Sequence, residues 1–431
     1  MDPQLRRVVL AENPWLRGDD LQAWFQRFLP ESYLPRRLRL VADHRVVLVV
    51  GPRQAGKSTL IWKTLAEAAE PVLYVNCEEP SMREWLSSPA SFLADVAESA
   101  GGARALLPEA GLFLKGLVDR RTGLRIYATG SSSFDLESAT RESLAGRAQR
   151  HLLLPLSLSE AGAAFTDGSP LAREEGLSQL VERMMIYGGY PTVLTSDEPR
   201  RELASLVEAF VVRDASDRFR IRHTAALRKI LELAASQIGN LVNLSDWAAL
   251  SNVSNDTVAD YCRLLEETHL IRMVRPFVGG RRAEITSSRK VFLLDNGIRN
   301  QLFGGFQDAA DRPDRGALLE NLIFTELAKT VHPLLDGLST WRSKSGAEVD
   351  FVVEHQGRLL ACEVKAGDSR GILSRSARSF VDAYQPEELV IVNRRTFPET
   401  AEGSTRVRFL RAEDLAGAVE AFLSADKVPV A

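Results

Sequence analysis

The chain has 431 residues, of which 45% are hydrophobic and 26% charged, and a formal net charge of -3. That length exceeds one ordinary core and suggests two to four domains of globular type. The near-neutral charge excludes a global pull on nucleic acid, so any such contact must rest on a local patch.

Cys77, Cys262 and Cys362 lie far apart with no CxxC pair, which argues against a disulfide framework or a zinc ribbon and fits a cytoplasmic location. The N-terminal stretch MDPQLRRVVLAENPWL has no long apolar segment, so no secretory signal is expected. No run approaches 18 apolar residues, so no membrane span is expected.

Residues 1–42 read as a helical lead-in, with Leu21, Trp24, Phe25 and Phe28 at helical spacing for packing. Residues 45–50 (RVVLVV) form a continuous apolar run, the signature of a buried parallel strand. A Gly-rich loop follows, then a helix over 59–69. Further strands are expected at 71–75 and 124–128, the latter ending in Thr129-Gly130-Ser131. Strands alternating with helices imply a parallel α/β sheet over 43–156.

Residues 157–225 turn helical, with a break at Gly188-Gly189-Tyr190-Pro191, and read as a helical lid. Residues 226–303 read as a small helical module ending in a hairpin. Two helices, 244–250 and 255–267, are joined by Ser251-Asn252-Val253-Ser254, with Ser254 placed to cap the second. The hairpin, 272–294, carries Arg275, Arg281, Arg282, Arg289 and Lys290. A loop rich in Gly, Asp and Pro at 304–316 is the best linker, and 317–431 read as a separate α/β unit.

Gly51-Pro52-Arg53-Gln54-Ala55-Gly56-Lys57-Ser58 matches the phosphate-loop pattern G-x-x-x-x-G-K-[ST] in full, after a strand and before a helix. Glycines let backbone N–H groups converge on phosphate oxygens, and the helix N-terminus adds partial positive charge. Lys57 is expected to reach the β- and γ-phosphates of ATP, and Ser58 to ligate Mg²⁺. Ser131 is a candidate γ-phosphate sensor and Arg147 a candidate arginine finger, or else a surface charge. Hydrolysis usually needs an apolar strand ending in Asp-Glu, and none is read between 76 and 124. The sequence therefore supports nucleotide binding better than hydrolysis.

The second constellation runs from Ala347 to Lys365. It alternates and turns at Gln356-Gly357, so it reads as a hairpin whose cross-strand partners sum to 713. Asp350 would then face Glu363, and Glu348 would face Lys365. Period-two geometry puts Asp350, Glu363 and Lys365 on one face, with Val349, Phe351, Val353, Leu360, Cys362 and Val364 on the packed face. Opposed carboxylates repel unless a cation such as Mg²⁺ joins them; Glu320 on the preceding helix would add another acid. A solvated hairpin face with ordinary charge pairs is the alternative.

The Asp350, Glu363 and Lys365 pattern resembles the PD-(D/E)XK nuclease core, with Glu320 matching its acidic helix residue. Together with GPRQAGKST, TGSSS, LAGRAQRHLLLPLSLSE and the YGGYP turn, the chain resembles prokaryotic AAA-type P-loop ATPases that carry a C-terminal nuclease-like domain of unknown function. The resemblance spans roughly 35–430 and implies ATP and Mg²⁺ at 51–59, a helical lid, a winged-helix-like module and a restriction-nuclease-like α/β domain. Members of that family usually carry the Asp-Glu strand before LFLKGLVD, and this chain reads as having lost it. The nuclease reading implies Mg²⁺ on Asp350 and Glu363, with Lys365 assisting attack of water on a phosphodiester of DNA. The candidate recognition helix, NDTVADYCRLLEE, is acidic apart from Arg263, so a protein-contact or interdomain role stands beside DNA binding, for which the basic hairpin is the better candidate. Two classes of function remain: an ATP-regulated DNA-processing protein, or a non-catalytic nucleotide-dependent switch or scaffold. AAA-type relatives often form rings, but no pattern here marks an oligomer interface.

Overall fold

A computed structural model describes residues 1–41, 43, 45–68, 71–76, 79–99, 104–106, 111–120, 123–130, 144, 146–163, 169–210, 221, 223–279, 289–333, 335–367 and 371–425. The chain divides into two compact units, Met1–Leu154 and Pro155–Ala431.

The first unit opens with α1 (Pro3–Glu12) and α2 (Leu21–Gln26), followed by β1 (Val46–Val50) and α3 (Lys57–Ala66). Then come β2 (Val72–Tyr74), α4 (Pro80–Trp85), α5 (Pro89–Ser99), β3 (Arg104–Leu106), α6 (Gly111–Asp119), β4 (Ile126–Thr129) and β5 (Ala148–Leu152). The five strands pair in the order β2-β3-β4-β1-β5, all parallel. All five residues of β1 are buried, because helices cover both faces. Alternation sends Val46, Leu48 and Val50 into a cluster with Phe92, Leu114 and Leu117. Val47 and Val49 join Phe25, Leu60, Ile61 and Leu65 on the other side. The lead-in aromatics therefore pack against α3. Asn13 seals the β2 edge: its side chain accepts from Tyr74 N–H (2.6 Å) and donates to Tyr74 C=O (2.9 Å), as a neighbouring strand would.

β3 corrects one expectation. A strand does lie between β2 and β4, where none was read. It spans three residues, Arg-Ala-Leu, too short and too polar at its start to register as an apolar run. The chain continues Leu107-Pro108-Glu109, so proline stands where the acidic pair would begin. Residues 107–110 lie outside the described residues.

The second unit begins with α7 (Leu158–Gly162), α8 (Pro170–Tyr187), α9 (Pro191–Thr195) and α10 (Pro199–Glu208). Next come α11 (Thr224–Ser236), α12 (Leu244–Ser251), α13 (Asn255–Glu267), β6 (Ile271–Val274), β7 (Lys290–Leu293) and α14 (Asn296–Leu302). Ser254 caps α13 by accepting from Thr257 N–H, as its position predicts. The remaining elements are α15 (Arg315–Thr330), β8 (Gly337–Arg342), β9 (Glu348–His355), β10 (Arg358–Val364), α16 (Arg375–Tyr384), β11 (Glu388–Val392), β12 (Phe397–Glu402), β13 (Thr405–Leu410) and α17 (Leu415–Ser424). They build a mixed six-stranded sheet in the order β12-β13-β11-β10-β9-β8.

Two features tie the helical module to this sheet. After β6 the chain runs beside β8: Thr340 N–H donates to Arg275 C=O (3.1 Å) and Phe277 N–H to Thr340 C=O (2.6 Å). Asn321 of α15 pairs with the end of β7, accepting from Leu293 N–H and donating to Leu293 C=O. The 304–316 loop is a packed connection rather than a loose linker. Arg312, 6% exposed, and Arg299 both hold Asp314, and hydrogen bonding from Arg312 draws the Asp314 pKa down to about 2.

The YGGYP turn is held by Asp295, which accepts from Gly189 N–H (2.7 Å) and caps α14 through Ile298 N–H (3.0 Å). The fit is tight: a Cβ on Gly297 would lie 2.1 Å from Tyr187 C=O. Burial pushes the Asp295 pKa up from 3.8 to about 6, against the pull of its backbone donors and Lys329. The folded chain thus holds this proton more tightly than the unfolded chain. The contribution is fully favourable below about pH 4 and is lost as pH rises through about 6. Asp295→Asn is expected to remove a component on the order of 2–3 kcal/mol from the fall in stability between pH 4 and 7. Denaturant midpoints across that range check this; an unchanged slope would contradict it.

Candidate functional site

The phosphate loop leaves the carboxyl end of β1, the edge of a parallel sheet where ligands bind in open α/β folds. Its backbone is shaped by three left-handed positions: Gly51 (φ 145°), Gln54 (φ 57°) and Gly56 (φ 89°). A Cβ on Gly51 would lie 2.0 Å from Leu153 C=O, so only glycine fits there. Pro52 and Ala55 are buried, Arg53 and Thr59 half-buried, and Ser58 exposed on the first turn of α3. The Lys57 side chain is 7% exposed and folds over the loop, donating to Gly51 C=O (2.9 Å) and Pro52 C=O (2.7 Å). The cradle, helix N-terminus, ammonium and exposed hydroxyl suit a nucleoside triphosphate with Mg²⁺.

Thr129, at the end of β4, pairs with Val49 and donates its hydroxyl to Val49 C=O (3.0 Å). β4 therefore ends at the same edge as the loop. Ser131 itself lies outside the described residues.

Arg147, read either as an arginine finger or as a surface charge, lies away from the loop. Val46 N–H donates to Arg147 C=O, and β5 begins with Ala148 beside Val46. Arg147 thus sits at the amino end of β1. The phosphate loop lies five strand residues away, about 16 Å. Its guanidinium instead pairs with Asp119 (2.6 Å). Sequence position alone did not reveal which end of the sheet this arginine occupies.

In the second unit the β9–β10 hairpin takes the expected register: Arg358 pairs with His355 and Cys362 with Phe351. Gln356 and Gly357 both have positive φ (49° and 76°), as a primed two-residue turn requires. Strict alternation fails at one point. Ser339 pairs with Val352 but Trp341 with Val349, so Asp350 and Phe351 together oppose Thr340 in a bulge. Val349 and Val352 consequently reach the same core as Trp341 and Phe380. Val352 and Ala361 are fully buried, so both sides of the hairpin pack.

The acidic residues gather around two lysines. Lys290, opening β7 and 5% exposed, pairs with Glu348 and with Glu320 (3.4 Å). Burial opposes its charge, but Glu320, Glu348 and Asp350 outweigh that and raise its pKa. Glu363, 3% exposed, pairs with Lys365 (2.5 Å) and accepts from the Ser374 hydroxyl (3.0 Å) at the start of α16. Asp350 accepts from Val364 N–H (2.7 Å). Burial pushes the Glu320 pKa up to about 7 and the Asp350 pKa up to about 6, with Lys290 counteracting both.

Two expectations are thereby corrected. Glu348 pairs with Lys290 rather than Lys365. Lys290 is buried in ion pairs and is not a surface cation for nucleic acid, whereas Arg275 and Arg289 are exposed; Arg281 and Arg282 lie outside the described residues. The oxygen chemistry of Asp350, Glu363 and Glu320 suits a hard cation. Their arrangement does not: among the described residues no three His, Cys, Asp or Glu side chains converge as a metal set. Sequence reading missed Lys290 because it names Lys290 only as one of a run of basic residues.

Residues 43–162 match the family model described as AAA domain. With the phosphate loop in place, this stretch is an AAA-type, ATPase-like domain. Residues 178–309 and 315–411 match two models described as domains of unknown function, DUF8612 and DUF4143. An uncharacterized protein of Mycobacterium tuberculosis is 29% identical over 361 residues, covering 81% of this chain and 77% of the relative. One of Haemophilus influenzae is 25% identical, covering 78% and 86%. The Walker-type ATPase PABY2304 of Pyrococcus abyssi is a weak structural match: TM-score 0.40 at 16% identity, covering 65% of this chain and 94% of that one. Among the described residues no helix is long and apolar enough to cross a membrane.

Lys57→Ala is expected to remove about 3 kcal/mol of ATP affinity, roughly a hundredfold in Kd. Isothermal titration calorimetry with ATP and Mg²⁺ measures it; unchanged affinity would contradict the assignment of the loop.

Proposed function

We propose that this chain is an ATP-dependent switch: the AAA-type domain binds ATP with Mg²⁺ at 51–59, and the bound state governs the helical module and the C-terminal nuclease-like domain. The observation that carries this is a complete phosphate cradle on a sheet whose third strand leads into Leu107-Pro108-Glu109 rather than Asp-Glu. Bound ATP supplies the γ-phosphate whose presence or loss separates the two states. Lys57 neutralises phosphate charge, the loop N–H groups orient it, and Ser58 offers its hydroxyl to Mg²⁺. Ser131, two positions after the last residue of β4 in the sequence, is the candidate sensor. Glu109, the first acidic residue after β3, is the candidate for orienting water. Steady-state phosphate release is then expected at or below the order of 0.01 per second, the range of P-loop proteins without a full catalytic set. Vigorous turnover that Lys57→Ala abolishes would overturn the slow-switch reading.

A second reading is DNA processing by the C-terminal domain. It is favoured by the proximity of Asp350 to Glu363 and Lys365, which share one electrostatic environment. Exposed Arg275 and Arg289 on the hairpin are the candidate contacts for DNA phosphates. Incubation with Mg²⁺ or Mn²⁺ and mixed DNA forms tests it: cleavage lost in Asp350→Ala supports this reading, and identical products from both proteins exclude Asp350 as catalytic.

A further inference from the structure

The polypeptide leaves the first unit at Leu154, after a stretch that lies against the phosphate loop. Leu153 N–H donates to Val50 C=O (2.8 Å), and a Cβ on Gly51 would fall 2.0 Å from Leu153 C=O. Arg36 binds both stretches at once. Its guanidinium donates to Ala55 C=O in the loop (3.2 Å) and to Leu154 C=O (2.6 Å). Burial alternates along this part of the lead-in: Arg37 and Arg39 are exposed, while Leu38 and Leu40 pack in the cluster of Val47, Leu60 and Leu153. A planar guanidinium suits the bridge, because its N–H groups hold two carbonyls in a fixed geometry. Beyond Leu154 there is little slack. Pro155 fixes one backbone angle, and the residues that follow are already held in the second unit. Leu156 N–H donates to Gly189 C=O (2.8 Å), Leu156 C=O accepts from Lys329 (2.9 Å), and Leu158 N–H donates to Glu326 (3.0 Å).

To reach phosphates, Lys57 must release Gly51 C=O and Pro52 C=O, so the loop exchanges internal hydrogen bonds when nucleotide enters. We infer that Arg36 is a positioning residue of the nucleotide site: it ties the conformation of the phosphate loop to the carbonyl of Leu154 and, through Pro155, to residues 155–158. Its partners in the loop and beyond it are carbonyls, whereas phosphates are held by N–H groups, so its part is to relay the bound state. This rests on the reading of the chain as an ATP-dependent switch.

Amide exchange of residues 155–160 in the full chain, with saturating ATP and Mg²⁺ and without nucleotide, tests this. In the unaltered chain the two rates are expected to differ by at least about fivefold. In Arg36→Met, which keeps the length and loses the donors, the ratio is expected to fall to about one while ATP still protects the phosphate loop. Arg36→Lys keeps the charge but not the fork, and is expected to lose the response as well. It decides the matter should thermal unfolding show that Arg36→Met does not fold. A structural role alone would lower the melting temperature and leave the ratio as it is. Retention of the ratio in either folded variant would therefore overturn the inference and leave the switch reading intact. Loss of loop protection in a folded variant at saturating ATP would put Arg36 in the binding site itself and overturn the relay. An unaltered chain whose loop is protected by ATP but whose residues 155–160 do not respond would sink the switch reading and the inference together.

Discussion

Glu320, Glu348, Asp350 and Glu363, from three elements, crowd into the second unit, and buried charge persists only when it is paired and hydrogen-bonded. Much of the architecture of this unit follows from that demand. The β6–β7 hairpin returns Lys290 to the carboxylates, α15 presents Glu320 while Asn321 holds β7, and the β9 bulge sets Asp350 against Val364 N–H. Removing one member leaves its partners uncompensated, which is why the centre acts as a joint between helical module and sheet rather than as a row of independent surface ion pairs.

The first unit obeys a different constraint. A parallel sheet gathers its loops at the carboxyl ends of the strands, and phosphate chemistry collects there. β1 supplies the cradle and β4 the approach to Ser131, while β3 leads into a proline. Binding and turnover are therefore separable in this chain. The cradle requires only backbone shape, one lysine and one hydroxyl, whereas turnover also needs an acid held beside water. The chain runs from β5 through Leu153 and Leu154 into Leu156, which accepts from Lys329 and donates its N–H to Gly189. This covalent path leads from the nucleotide-binding unit into the buried polar network around Asp295, Glu326 and Lys329.

What could be read from the sequence was local. The phosphate loop is a contiguous pattern, and its backbone takes the conformations that the glycines allow. The Gln356-Gly357 turn fixes the hairpin register, and Ser254 announces the start of α13. What escaped depends on neighbours distant in the chain. β3 is a strand because β2 and β4 flank it, not because Arg-Ala-Leu favours one. The bulge at Asp350 arises from pairing with β8 and leaves no trace in alternation. Lys290 meets partners 30 and 58 positions away, and only the fold brings them together. The choice between finger and surface charge for Arg147 stayed open for the same reason: a motif gives its order along the chain but not the end of the sheet it occupies.

The central claim is that ATP at Gly51–Ser58 changes the state of the second unit. Amide hydrogen exchange with and without ATP and Mg²⁺ tests it most directly, with the Lys57→Ala chain as the control. The account predicts altered protection in residues 155–162 and in α15, as well as in the phosphate loop, and no change in the control. Protection changes confined to the loop and α3 would contradict it.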